Sequence, residues 1–191
     1  MSKQMSSWLN TNSFDIKDEY YTPKILVEPI IKYLRQNSTI WCPFDTENSE
    51  FVILLKENGF NVIYSHIWNG QDFFEFEPKE HYDYIVSNPP FTKKLKVMER
   101  LYRLNKPFAV VMGLPILNYQ EVGSFFLGKE LQLLIVDKKV SFDGKTASFN
   151  NSYFCYNVLP KGIIFEHLEN NNSGKHFVGS RMVNDKKELF I

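Results

Sequence analysis

The 191-residue sequence carries no net charge, because 22 basic residues balance 22 acidic ones. A protein that grips nucleic acid without regard to its sequence usually carries a basic excess, so the balance runs against tight non-specific binding. A locally basic face is still compatible with it. Cysteine is scarce. Cys42 and Cys155 stand in apolar, strand-like runs, belong to no CxxC pair, and are joined only by four scattered histidines. That pattern supplies neither a disulfide framework nor a zinc site, and no metal is expected. The two thiols read as buried ones in a reducing compartment. Long apolar runs are missing as well. Nothing approaches the ~20 apolar residues that cross a bilayer, and the opening MSKQMSSWLNTNSF lacks the apolar core of a secretion signal. A cytoplasmic protein without a membrane partner is expected.

Aromatic residues, by contrast, are plentiful, with 17 Phe and 10 Tyr, and such a composition argues against disorder. The length suits one domain with a substantial core. Three parts are expected: a loose polar arm over residues 1–18, a domain over 19–168, and a tail over 169–191. Within the domain, helical and strand-like patterns alternate. YYTPKILVEPIIKYLRQN predicts a helix with Thr22 as N-cap, Pro23 at the first helical position and a bend or break at Pro29. STIWCPF predicts a strand, NSEFVILLKENGF a helix stopped by Gly59, and NVIYSHI a second strand. GQDFFEFEP reads as a loop or short strand. YDYIVS, PFAVVMG and LQLLIVD predict strands, with helices over KKLKVMERLYRLN and, more weakly, QEVGSFFLGKE. After these come KVSF, SYFCYNVL and GIIFEHL, β-rich with no helix between them. Alternating strands and helices imply a mostly parallel α/β sheet covered on both faces, and the β-rich end implies an antiparallel C-terminal edge.

In such a sheet ligands bind beyond the carboxyl ends of the strands. Three segments converge there: PFDTENSEF, the loop ending in DFF, and SNPPF, counted as following the fourth strand. SNPPF has the most specific chemistry. Pro89 and Pro90 have fixed φ and no N–H, so the backbone is stiff and offers only acceptors. The Asn88 side-chain oxygen and the Pro89 carbonyl can converge on one small donor group, with the Phe91 ring beside them. An amino group on an aromatic ring, such as the exocyclic amine of adenine, fits two acceptors and a flat face.

Asn88-Pro89-Pro90-Phe91 resembles the Asp/Asn/Ser-Pro-Pro-aromatic motif of amino-methyltransferases acting on adenine. The chain looks like a small N6-adenine DNA methyltransferase of the kind carried by phages and mobile elements, over about Tyr20 to Leu168. YYTP resembles the family's helix-opening motif, and CPFDTENSEFV sits where the family has its cofactor loop. DFF resembles the motif near adenine and cofactor, and SFDGKTASFNNSYFCYN the late aromatic segment. The order matches the gamma arrangement, without the large target-recognition domain that often follows. The resemblance implies a Rossmann-like, seven-stranded methyltransferase fold, S-adenosylmethionine as cofactor and DNA as partner, with the target base flipped out of the duplex. It assigns catalysis to Asn88, Pro89, Pro90 and Phe91. It assigns the cofactor to Tyr21, Thr22, Pro23, Pro43, Phe44, Asp45, Asn48, Ser65, His66, Asp72 and Phe73. Stacking on the base falls to Phe91, with Phe149 or Tyr153 on the other face. Lys93, Lys94 and Lys96, or Lys175, Arg181, Lys186 and Lys187 in the tail, are candidates to meet phosphates, and a homodimer stays open.

Three features depart from the family pattern. Cys42 replaces an acid, Thr46 and Asn48 stand where glycines are expected, and the second strand ends in Ser65-His66 rather than in Asp or Glu. Asp45, Glu47 and Glu50 are carboxylates of a differently shaped loop. Two other readings therefore stay open. One is a degenerate methyltransferase-like protein that binds nucleic acid or a host protein, in a regulatory or anti-restriction role. The other is an RNA adenine methyltransferase.

Overall fold

The computed structural model describes residues 22–90, 92–140 and 151–169. Tyr21, Phe91, Phe149, the 1–18 arm and all but the first residue of the 169–191 tail lie outside them. Helix α1 (Lys24–Ile31) starts one residue later than the sequence implies. Pro23, not Thr22, is its N-cap, and its carbonyl accepts from Leu26 N at 2.9 Å. The helix runs through Pro29 and ends two residues beyond it, in keeping with the backbone bond that a proline removes. Helix α2 (Glu50–Glu57) buries Phe51, Val52, Leu54 and Leu55 and stops where Gly59 takes φ +83°, a left-handed conformation that favours glycine. Helices α3 (Lys94–Leu104) and α4 (Gln120–Phe126) follow the predicted spans.

Seven strands form one sheet: β1 (Thr39–Cys42), β2 (Asn61–Tyr64), β3 (Tyr84–Ser87), β4 (Phe108–Gly113), β5 (Gln132–Val136), β6 (Asn151–Tyr156) and β7 (Ile163–Glu166), ordered β2-β1-β3-β4-β6-β5-β7. All run parallel except β6, which is antiparallel to both neighbours. The α/β, mostly parallel sheet expected from the sequence is present. GQDFFEFEP adds no strand, so SNPPF follows the third strand rather than the fourth. The reversed strand β6 sits inside the sheet, and its burial explains why: Asn151 to Cys155 are all buried, as an interior strand requires. The half-exposed β7 takes the edge, with Ile163 and Phe165 facing solvent. To reach it the chain must pass the start of β5. The Gln132 side chain fixes that passage, accepting from Val158 N and Leu159 N at 3.0 Å and donating to Leu159 O at 2.7 Å.

The strands alternate between two apolar layers. Ile40, Cys42, Val86, Ala109, Val111 and Tyr153 face α1 and α2. Trp41, Ile85, Phe108, Val110 and Phe154 face α3 and α4. The edge is tied back to α1 by Glu166, whose Oε1 lies 2.6 Å from Lys32 Nζ and also accepts from the Tyr33 hydroxyl. Burial acts to raise the Glu166 carboxyl, but the Lys32 and Tyr33 hydrogen bonds outweigh it and hold the pKa below its ordinary 4.5. A depressed carboxylate pKa contributes stability above the unfolded value and loses it as pH falls through the folded one. Glu166→Gln is therefore expected to cost about 1 kcal/mol or less at pH 7 and progressively less as pH falls below the carboxyl's ordinary 4.5, read from paired thermal melts. A cost that stays the same as pH falls would show that packing, not charge, holds the contact.

Candidate active site

The sheet reverses its winding between β1 and β3: the chain moves outward from β1 to β2, then returns to the other side of β1. The crevice beyond the carboxyl ends of such a strand pair is where open α/β sheets bind ligands. Two of the three segments singled out by the sequence, PFDTENSEF after β1 and SNPPF after β3, emerge there. Past the strand ends, β1 and β2 stay zipped, with Ser65 N donating to Cys42 O at 3.1 Å and Asp45 N to Ser65 O at 3.2 Å. This pairing turns the Asp45 side chain toward β3. Its carboxylate is buried and accepts from the Ser87 hydroxyl, so it bridges the crevice floor beside Asn88.

The loop after β1 solves its local geometry without glycine. Thr46 N donates to Ser49 Oγ at 2.9 Å, and Ser49 N to Thr46 O at 3.1 Å. Neither Thr46 nor Asn48 has positive φ, so ordinary L residues fit the turn. The Phe44 ring packs 4.7 Å from Phe73. Phe73 is held in turn by Trp41 at 5.7 Å and by the Arg100 guanidinium 5.3 Å over its face. Asp72 shapes this turn. Its carbonyl accepts from Glu75 N and Phe76 N, and its Oδ1 accepts from Phe74 N at 3.0 Å.

At the end of β2, Ser65 is fully buried and its hydroxyl accepts from the Trp41 indole N–H at 2.9 Å. That contact gives Ser65 a structural role under the crevice floor. His66 Nδ1 accepts from Trp68 N at 3.2 Å, and its ring lies 4.5 Å from the Trp68 ring, which is exposed. Asn88 leaves β3 with its Nδ2 donating to Thr22 Oγ1 at 3.0 Å. Its Oδ1 is buried, with no hydrogen-bond partner among the described residues. Pro89 is buried behind it, and Pro90 half-buried.

One assignment needs correction. Tyr153 cannot stack on a base: it is fully buried on the α1 and α2 side, edge-on to Phe51, with its hydroxyl donating to Leu26 O at 2.7 Å. The other stacking candidates, Phe91 and Phe149, lie outside the described residues, as does Tyr21. Thr22, Pro23, Pro43, Phe44, Asp45, Asn48, His66, Asp72, Phe73, Asn88, Pro89 and Pro90 are borne on segments leading into or out of the strands' carboxyl edge. Two residues escaped the sequence reading, Ser87 and Trp41. A serine closing the apolar run YIVS was the signal for the first. Cys42 is no nucleophile here, since burial and then the Asp45 carboxylate push its thiol well above the usual range. Among the described residues, no group of three or more His, Cys, Asp or Glu could hold a metal ion, and no helix is long and apolar enough to cross a membrane.

Sheet order, layers and crevice define a Rossmann-like α/β fold. Solved structures share it. One is a modification subunit of a type I restriction enzyme from Vibrio vulnificus, matched at a TM-score of 0.51 and 13% identity over 86% of this chain and 50% of that one. Another is the methyltransferase subunit of a type I restriction-modification system from Streptococcus thermophilus, at 0.52 and 10% identity over 85% of this chain and 51% of that one. The chain thus spans about half the length of both. No protein-family model and no curated protein matches the sequence.

Proposed function

We propose that this chain transfers a methyl group from S-adenosylmethionine to the exocyclic N6 amine of adenine in DNA. The observation that carries the reading is the Asn88 Oδ1 atom, a buried acceptor that finds no donor among the described residues, at the switch point of a Rossmann-like sheet. A buried acceptor costs about 1–3 kcal/mol when left unpaired, and an incoming N–H removes that cost. The next two residues are prolines, so no backbone N–H of theirs competes for it.

The residues present fit the cofactor. S-adenosylmethionine is cationic at its sulfonium, and Asp45 supplies a buried carboxylate at the crevice floor. Phe44 and Phe73 supply aromatic surface, and Asp72 and His66 polar groups at the ends of neighbouring loops. These residues would hold the cofactor in place of a glycine loop and a ribose-binding acid at the end of β2. When bound, it supplies an electrophilic methyl group. Asn88 and the Pro89 carbonyl accept the two amine N–H bonds, which aims the nitrogen lone pair outward, and Pro89 and Pro90 hold both acceptors rigid. Their contribution is positioning and electrostatics. DNA is the favoured substrate because the late aromatic segment resembles the DNA enzymes and because the two solved structures named above are restriction-modification subunits.

A second reading, a degenerate protein that binds nucleic acid without cofactor, draws on the Ser65 hydroxyl engaged by Trp41 and on the side chains at Thr46 and Asn48. One experiment separates the two. The protein is incubated in parallel with mixed-sequence DNA or RNA and methyl-labelled cofactor, and each nucleic acid is digested to nucleosides. Label in N6-methyl-2′-deoxyadenosine supports the first reading. Absence of label, together with no heat on titrating the cofactor, transfers support to the second. Label recovered only from RNA would shift the substrate class.

A further inference from the structure

We infer that β7 is an interaction surface for a second copy of this chain, paired antiparallel about a two-fold axis. The inference is independent of the methyl-transfer reading. β7 ends the sheet, and among the described residues β5 is its one strand partner. Gly162 O and Glu166 O accept from Leu133 N and Asp137 N, so the even-numbered residues turn their backbone groups toward β5. The N–H and C=O of Ile163 and Phe165 therefore point out of the sheet. The two residues are 57% and 75% exposed and stand open to solvent. Their side chains rise on the face that carries α3 and α4, because Ile163 pairs with Leu133, which belongs to that layer. Natural edge strands are usually blunted by charge, proline or a bulge. β7 presents Ile and Phe instead.

This pattern is its own complement. With the axis at Ile164, Ile163 of one copy lies opposite Phe165 of the other. Each such pair exchanges two hydrogen bonds through the backbone groups that point outward. Directly opposed side chains share a face, so both Ile163 and both Phe165 side chains join in one apolar cluster. Glu166 falls opposite Gly162 and meets no second carboxylate. Lys161 falls opposite His167, whose ring is hydrogen-bonded to the Asp137 carboxylate, and so arrives beside a negative charge. The chain carries no net charge, so two copies do not repel at long range. A shift of one residue would oppose outward to inward backbone groups and form no ladder. A shift of two would set Phe165 against Phe165 and leave Ile163 against His167. Antiparallel pairing points the carboxyl edges of the two sheets in opposite directions, so the copies share no crevice. The edge is four residues long, small against the about 1,200–2,000 Å² that stable complexes bury, so the dimer should be weak, half-dissociated at roughly 10–100 μM.

The test sediments the full chain at about 1 to 300 μM, which brackets that range. Wild type should pass from monomer to dimer. Phe165→Lys and, separately, Ile163→Lys put a charge inside the cluster and should leave monomer at every concentration. Both should melt close to wild type, because the side chains they replace are exposed. By hydrogen-exchange mass spectrometry, the β7 segment should hold two amides more slowly exchanging at the high concentration than at the low one. Mixed Ile163→Cys and Phe165→Cys chains should form a disulfide-linked pair under mild oxidation, since opposed Cα atoms about 5.5 Å apart suit the bond. Neither variant alone should do so, because its own thiols then lie diagonally, out of reach. Cys42 and Cys155 are buried and do not interfere. Wild type that stays monomeric overturns the inference. Fast β7 exchange would then mean an edge that recruits no copy, and slow exchange an edge covered by the chain itself. A dimer that survives both Lys variants, or that either Cys variant cross-links alone, uses another face or register and overturns it too. If a Lys variant melts early, the exchange and mixed-cysteine measurements still decide.

Discussion

Replacing Asn88 with alanine is expected to lower methyl transfer by about a hundredfold or more, the usual loss when one preorganised polar contact to a reacting group is removed. Cofactor affinity should change little, because the carboxylate and rings proposed to hold the cofactor lie on the loops after β1 and β2. The protein should stay folded, since among the described residues the buried Asn88 oxygen has no hydrogen-bond partner to lose and the side chain gives up one bond, to Thr22. Stopped turnover with intact cofactor titration is the expected signature, measured by labelled methyl incorporation and calorimetry side by side. Turnover near the wild-type rate in Asn88→Ala would remove Asn88 from the reaction. Loss of cofactor binding would instead make it part of the cofactor site.

The second large effect concerns the support beneath the crevice. Trp41→Ala should destabilise the fold by about 3–5 kcal/mol, the range for deleting a buried aromatic side chain. Trp41 is fully buried, and its ring lies 5.7 Å from Phe73, 6.4 Å from Phe76 and 5.2 Å from Tyr82. Its indole N–H also donates to Ser65, so truncation leaves a cavity and a fully buried hydroxyl without its donor. At about 2–4 °C per kcal/mol for a domain of this size, the melting temperature should fall by roughly 10 °C. Trp41→Phe separates the two contributions, since it keeps most of the ring volume and loses only the indole contact. If Trp41→Ala melted within a degree or two of wild type, Trp41 would not be the prop that holds Phe73 and the end of β2 together.

The elements themselves were legible from local pattern. Helices α2 and α3 announce themselves by apolar spacing, the stop at Gly59 by its need for positive φ, and β4 by an apolar run buried at every position. The diproline corner was legible for a related reason. Its stiffness is covalent, and a stretch that combines rigid φ, a missing N–H and an amide means the same in any fold. The loop after β1 was harder to read. Cys42, Thr46, Asn48 and Ser65 depart from the family pattern, and the fold shows how the loop closes instead, through Thr46 and Ser49, with the Asp45 carboxylate buried against Ser87. Asp45 enters the crevice because β1 and β2 stay paired past their ends, which no window of sequence around Asp45 reveals.

By itself, then, the sequence determined the α/β alternation, the sheet's parallel majority and the acceptor-rich corner at Asn88, because each depends on side chains a few residues apart. Tertiary structure alone decided that β6 inserts between β4 and β5, that Tyr153 belongs to the core, that Ser65 serves Trp41, and that Thr22 meets Asn88. Each of these joins parts of the chain far apart in sequence. Such partners are chosen by burial and by the pairing of polar groups across the whole fold, and the periodicity of one segment carries no record of that choice.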